Sequence, residues 1–273
     1  MRYDNHRPPM AVILADGIGS RLSPMTDSSA TCMFSVGGSV ILERTIRNCL
    51  SCGISQVVLV LGHRADEIKY FVNKACRGIR VTYVINDRYR DTNTGYALGM
   101  AASTIGSSEF IRLDADVVFD AKILRQLTDS DLPDAFCIDS NSVLAGGKMN
   151  VTADDQKHLR AVGTSVDPKL ATGASIGIEK ISAATAPLLF AELALLMQER
   201  APLRVDLDAA YARLLDKGTV IHALDVTGLN WTKVDTAEGL ATANALFRSP
   251  ITTISRGQQR ALDEAAEQEP HPT

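Results

Sequence analysis

A chain of 273 residues with 45% hydrophobic content is long enough to bury a sizeable core and too apolar to be disordered as a whole. Its formal net charge of −4 excludes a general nucleic-acid binder, which presents a basic face to the phosphate backbone. No apolar run reaches the ~18 residues of a membrane span, and the opening MRYDNHRPPM has no apolar leader core, so the cytoplasm is the expected compartment. The cysteines Cys32, Cys49, Cys52, Cys76 and Cys137 form an odd set in which only Cys49 and Cys52 have redox-pair spacing. Without metal partners nearby they are expected to be reduced, structural thiols.

In chain order, Met10 to Leu14 is an apolar, β-branched run that passes directly into a loop where Gly17 and Gly19 flank Ile18. Glycines let backbone N–H groups turn toward an anion, and Arg21 adds a charge-assisted fork for phosphate oxygens. Neither the Walker loop nor the dinucleotide fingerprint fits, because Leu22, Ser23 and Pro24 stand where their remaining positions fall. The periodicity then predicts a helix over 39–52 closed by Gly53, a doubly buried strand over 56–62, a helix over 65–75, a strand over 81–85, a short Ala-rich helix over 95–103 and a strand over 109–119. This alternation implies an α/β fold built on a doubly wound sheet, with ligands at the carboxyl ends of its strands. After about Cys137 the texture changes to short antiparallel strands. Helices over 183–200 and 207–217, strands over 220–225 and 231–235 and a last helix to about Phe247 follow. The expected layout is an arm (1–9), one domain (10–248) with an acceptor-side insertion (about 140–182), and a disordered tail (249–273).

Two acidic sites offer chemistry. In LDADVVF, Asp114 and Asp116 share one face if the segment is extended, as a hard divalent ion bridging phosphate oxygens requires, although D-x-D also caps strand-end turns. In WTKVDT, Lys233 and Asp235 share a face and Thr236 is placed to cap the next helix.

The string LADGIGSRLSPMT resembles the signature of nucleotidyltransferases acting on sugar phosphates and related phosphoesters, L-x-x-G-x-G-x-R-L-x-P-x-T. NDRYRDTNTGYALGMA, VDPKLATGASIGIEKIS and LDVTGLNWTKVDTAEGL resemble segments of the branch that activates phosphocholine and aminoalkyl phosphonates with CTP. The resemblance spans residues 10 to 247 and implies a Rossmann-like mixed sheet of the GT-A-like kind. It also implies Mg2+ held by Asp116 and Asp235, with catalytic roles for Arg21 and, from its place beside Asp235, Lys233. Nucleotide contacts fall to Leu14, Ala15, Asp16, Gly17, Gly19, Ser20 and Arg21, to Asp114, and to Thr92, Asn93, Thr94, Gly95 and Tyr96 beside the base. Arg88, Lys148, Ser175 and Trp231 are assigned to the acceptor. A soluble enzyme taking CTP and a small phosphonate or phosphate, with homodimerisation left open, is the implied assembly.

Four departures qualify the resemblance. Thr31 and Thr164 stand where the family carries lysines, Ala174 where members with a cationic substrate carry Glu, and Lys233 where an acid precedes the final aspartate. The acceptor pocket is thereby shifted positive and suits an acceptor without an ammonium group, such as phosphonoformate or another carboxylated or hydroxylated phosphonate. A sugar-1-phosphate transferase and a non-catalytic nucleotide-binding module are the alternatives, the latter prompted by Thr31 and Thr164.

Overall fold

The computed structural model describes residues 8–142, 149–199 and 204–250, so most of the arm, Lys148 and tail residues 251–273 lie outside the described residues. In chain order the elements are β1 (Met10–Ala15), α1 (Met25–Ser28), β2 (Ser35–Val36), β3 (Ser39–Val40), α2 (Ile41–Ser51), β4 (Gln56–Leu61), α3 (Ala65–Ala75), β5 (Arg80–Ile85), α4 (Thr94–Met100), α5 (Ala102–Ile105), β6 (Phe110–Asp114) and β7 (Val117–Phe119). They continue with α6 (Ala121–Thr128), β8 (Ala135–Asp139), β9 (Asn150–Ala153), β10 (Leu159–Gly163), β11 (Gly173–Ile181), α7 (Ala186–Glu199), α8 (Leu207–Asp216), β12 (His222–Asp225), β13 (Trp231–Lys233) and α9 (Ala237–Leu246).

β1 lies between β4 and β6 and is parallel to both, with β5 parallel to β4 at the edge. β11 runs antiparallel to β6 and carries the sheet on to β8 and β12, while β9 and β10 extend its other end. The sheet is therefore mixed. Side chains alternate across β1: Ala11, Ile13 and Ala15 join the core under α2, α3 and α6, whereas Val12 and Leu14 join the core under α4, α7 and α8. A strand covered on both faces has no solvent side, which is why β1 and β4 read as continuous apolar runs. Because α2 crosses on one face and α4 on the other, the strand order reverses between β1 and β6, and the crevice opens there.

Helix α2 ends in the hydrogen-bond pattern its Gly53 predicts, with Ile54 N donating to Cys49 O and Gly53 N to Leu50 O, both at 3.0 Å. It begins two residues later than its periodicity suggests, because Ser39 and Val40 pair with Val36 and Ser35 in a small hairpin. The expected 109–119 strand is two strands: Ala115 and Asp116 form a turn, and β7 leaves the main sheet to pair with β13. The Ala-rich helix is interrupted at Ala101, and the predicted 231–235 strand stops at Lys233. The helix expected from 183 starts at Ala186, after a turn in which the Asp134 carboxylate accepts from Ser182 N, Ser182 Oγ and Thr185 Oγ1.

The far end of α9 is strapped down. Asn244 Oδ1 accepts from Gly37 N at 3.1 Å, and the Arg44 guanidinium sits 5.9 Å from the centre of the Phe247 ring. Gly37 has φ +55°, and a Cβ there would lie 1.6 Å from the Phe247 carbonyl oxygen, so only glycine permits this approach.

On the sheet face covered by α4, α7 and α8, Arg112 of β6 and Glu179 of β11 face each other across an antiparallel register pair, Glu179 fully buried and Arg112 2% exposed. The guanidinium grips Glu179 with Nε and Nη2 and Asp114 with Nη1, and Tyr211 Oη donates to Glu179 at 3.2 Å. Burial alone would lower the arginine's pKa, but the charges of Asp114 and Glu179 outweigh it and hold the group firmly cationic. Removing one partner of such a pair leaves an uncompensated buried charge. Glu179→Leu is expected to lower the unfolding free energy by about 3 kcal/mol in urea denaturation, with no change expected from an exposed control such as Glu67→Gln.

Candidate active site at the β1–β6 crevice

Leu14 pairs with Asp114 in the sheet register, so the loop leaving β1 and the carboxylates leaving β6 are brought together by main-chain pairing. A cleft of about 250 Å³ opens between them, lined by Asp16, Gly17, Gly19, Arg21, Asp116 and Lys233 among others; Leu14, Ala15, Thr94 and Asp114 also reach it. Gly19 has φ +68°, and a Cβ on it would lie 2.2 Å from Thr31 Oγ1, so the loop needs glycine for its conformation and for its contact with the residue at position 31. The Thr31 hydroxyl is buried and has no hydrogen-bond partner among the described residues.

A second cleft of about 740 Å³ adjoins the first, and Arg21, Thr94, Asp114 and Lys233 line both. Ser175 and Trp231 border this larger cleft, as does Asp235. Trp231 is oriented by its indole Nε1, which donates to Asp139 Oδ2 at 2.9 Å, while Thr227 Oγ1 donates to Asp139 Oδ1 at 3.0 Å. Thr164 and Ala174 also line it, so three of the four departures from the family pattern, these two and Lys233, face one space.

The charged groups form a chain. Lys233 Nζ lies 3.3 Å from Asp114 Oδ2 and 3.5 Å from Asp116 Oδ1, and Arg21 Nη1 lies 3.0 Å from Asp235 Oδ2. Because β13 pairs with β7 and Val234 N donates to Asp116 O at 2.7 Å, the two strand ends are locked side by side. Thr236 caps α9 by accepting from Gly239 N at 3.0 Å, which fixes the backbone just after Asp235. Asp114 is held down to about 2: burial alone would raise it, but Arg112 and Lys233 dominate together. Asp116 is pushed up to about 6 by burial and by the like charges of Asp114 and Asp235, against the pull of Lys233. The Lys233 ammonium is raised by Asp114, against burial, and stays charged.

Several expected contacts lie elsewhere. Asp114 and Asp116 do not share a strand face, because Asp116 sits in the turn after β6; Lys233 brings them together instead. Ser20 is exposed at the start of a 3-10 turn, and neither it nor Arg88, Thr92, Asn93, Gly95 or Tyr96 lines either cleft. Asn93 donates to Asp206 at 2.8 Å, and a Cβ on Gly95 would meet the Val205 carbonyl oxygen at 2.2 Å, so these two hold α4 against the segment before α8. Lys148 lies outside the described residues.

Sequence reasoning missed Asn86. This fully buried side chain donates to Asp16 Oδ2 at 2.7 Å and Thr92 Oγ1 at 2.8 Å and accepts from Arg88 N at 3.1 Å, tying the end of β5 to the Gly loop. Burial raises the Asp16 carboxyl, and the Asn86 donor opposes that shift. Arg112 and Glu179 were missed as well, although a charged residue inside the apolar runs EFIRLDADVVF and ASIGIEKIS is a visible signal that a buried partner is needed.

Residues 10–136, which carry the Gly loop after β1 and the carboxylates at the end of β6, match the family model described as Nucleotidyl transferase. Among the proteins the chain is similar to are several named for cytidylyl transfer. It is 27% identical over 270 residues to the CMP-5'-(3-aminopropyl)phosphonate synthase of Streptomyces rubellomurinus, covering 94% of this chain and 41% of that protein. It is 32% identical over 106 residues to the choline-phosphate cytidylyltransferase of Streptococcus pneumoniae, covering 39% of this chain and 44% of that protein. The matches thus span less than half the length of these relatives. A solved structure of CTP:phosphocholine cytidylyltransferase from Streptococcus pneumoniae shares the fold, with TM-score 0.72, 18% identity, and coverage of 88% of this chain and 99% of that one.

Leaving Asp16 and Thr92 without the Asn86 amide removes donors from a buried network. Asn86→Ala is therefore expected to cost about 1–3 kcal/mol of stability by chemical denaturation of the nucleotide-free protein; a loss under about 0.5 kcal/mol would mean that water replaces the amide.

Proposed function

We propose that this chain transfers CMP from CTP to a small phosphonate or phosphate acceptor and releases pyrophosphate. The observation that carries the reading is the junction of the two clefts at Arg21, Asp114 and Lys233, one cleft floored by the Gly loop and the other bordered by Ser175 and Trp231. An in-line displacement needs nucleotide and acceptor in adjoining spaces with cations between them. The choice of CTP rests on the relatives named for cytidylyl transfer.

In the proposed reaction an acceptor oxygen attacks the α-phosphorus. The new P–O bond forms as the bond to the bridging oxygen breaks, and pyrophosphate leaves with that electron pair. The attacking oxygen is already ionised near neutral pH, so no general base is required. The amides of the loop around Gly17 and Gly19 and the guanidinium of Arg21 bind the triphosphate, and Lys233 faces the acceptor across the cleft junction.

Magnesium is part of the proposal, with Asp116 and Asp235 as the holders. The donor set fits a hard divalent ion: both are carboxylates, and buried Asp116 Oδ1 accepts no hydrogen bond among the described residues. When bound, the ion would supply charge neutralisation on the phosphate oxygens. Lys233 takes the place of a family acid, and with Ala174 it favours an acceptor that carries extra negative charge, such as a carboxylated phosphonate, over one with an ammonium group.

Pyrophosphate release measured across CTP, UTP and GTP with a carboxylated phosphonate, an ammonium-bearing phosphonate and a sugar 1-phosphate tests the reading. Turnover with CTP and the carboxylated phosphonate is expected to dominate; turnover confined to a sugar 1-phosphate, or absent throughout, overturns it. Asp116→Asn and Asp235→Asn are each expected to reduce turnover by about 10²-fold or more at saturating magnesium. Lys233→Met keeps most of the stem and removes the charge, and is expected to lower kcat/KM for the anionic acceptor by about tenfold with a smaller change in KM for CTP. An equal loss toward the ammonium-bearing acceptor would remove Lys233 from acceptor choice.

A further inference from the structure

Both carboxylates assigned to the divalent ion already carry a cation from this chain. Lys233 sits 3.5 Å from Asp116 Oδ1, and Arg21 sits 3.0 Å from Asp235 Oδ2. Lys233 is itself anchored, 3.3 Å from Asp114 Oδ2, and Asp114 is gripped from behind by the buried Arg112. The ammonium is thus held over Asp116 by a neighbour that is not a proposed metal holder. Among the described residues no group of three or more His, Cys, Asp or Glu side chains is placed to hold a metal ion.

A free divalent ion is drawn from water by surplus negative charge and unengaged oxygens. Here it meets two carboxylates that are each paired, and on Asp116 it would stand within a few ångströms of a fixed like charge. We propose that Lys233 is a built-in counter-ion that keeps divalent cations off Asp116 in the nucleotide-free protein, so that metal and nucleoside triphosphate enter as one complex. The triphosphate supplies the missing negative charge and gives Arg21 a bidentate partner in place of Asp235. Lys233 then leaves Asp116 but stays on Asp114, at the junction of the two clefts. The inference rests on Asp116 and Asp235 being the metal holders.

Mn2+ binding to the full chain, followed without acceptor by the electron paramagnetic resonance of free Mn2+, tests it independently of turnover. Without nucleotide, the wild-type protein is expected to bind Mn2+ no tighter than about millimolar, and Lys233→Met at least about tenfold tighter. Adding Asp116→Asn to Lys233→Met is expected to abolish the gain, and adding CTP to the wild-type protein to bring Mn2+ onto it. Lys233→Gln, smaller and polar, serves as the second variant, with circular dichroism confirming the fold of each. Wild-type binding tighter than about 0.1 mM without nucleotide overturns the proposal whatever the variants do, as does a folded Lys233→Met or Lys233→Gln single variant that binds no more tightly than wild type. Loss of the proposed transfer reaction would appear instead as absent pyrophosphate release, with the Mn2+ difference between wild type and Lys233→Met intact.

Discussion

The buried contact between Arg112 and Glu179 is the constraint on which the site depends. It joins β6, which runs parallel to β1, to the antiparallel strand β11, at the point where the sheet becomes mixed. Its third arm reaches Asp114, so the charge at the end of β6 is set by a group rooted in the core. From there the chain of contacts runs outward through Lys233 to Asp116. A buried pair of this kind is weak evidence for net stability, since desolvation offsets much of its Coulomb energy. Its value here is positional: two strands of opposite direction are held in one register, and a carboxylate is delivered to the crevice in one charge state.

Much of the fold was legible because β1, β4 and the helices packed on them obey simple periodicities. Met10 to Ala15 alternates between two cores, and Gly53 closes α2 through the hydrogen bonds its position requires. The failures have a common cause. Ser39–Val40, Ala115–Asp116 and the end of β13 are set by strand pairing, local in the Ser35–Val40 hairpin and long-range between β7 and β13, which helical or alternating periodicity does not record. The same holds within the site. The Gly loop, Arg21 and the acids were visible as motifs, whereas Asn86, the first residue of NDRYRDTNTGYALGMA, had no role there, and its contacts with Asp16 and Thr92 are seen only in the fold. The grouping of Asp114 with Asp116 was expected from strand alternation. It arises instead from a lysine on another strand.

Substitutions relative to the family pattern act together in this geometry. Ala174, Thr164 and Lys233 border one cleft, and Lys233 also reaches the other, so a change of charge at one position alters both spaces. The Trp231 indole turns its N–H toward Asp139, which leaves the ring as a wall and the carboxylate engaged. This cleft presents apolar surface on one side and a fixed ammonium on the other.

Asp235 stands directly before a helix whose two ends are both fixed. Thr236 caps the start of α9, and Gly37, Arg44 and Phe247 clamp its end about 15 Å away, the length of ten helical residues. Asp235 is therefore set by contacts at both ends of α9, the Thr236 cap beside it and the Gly37 clamp at the far end.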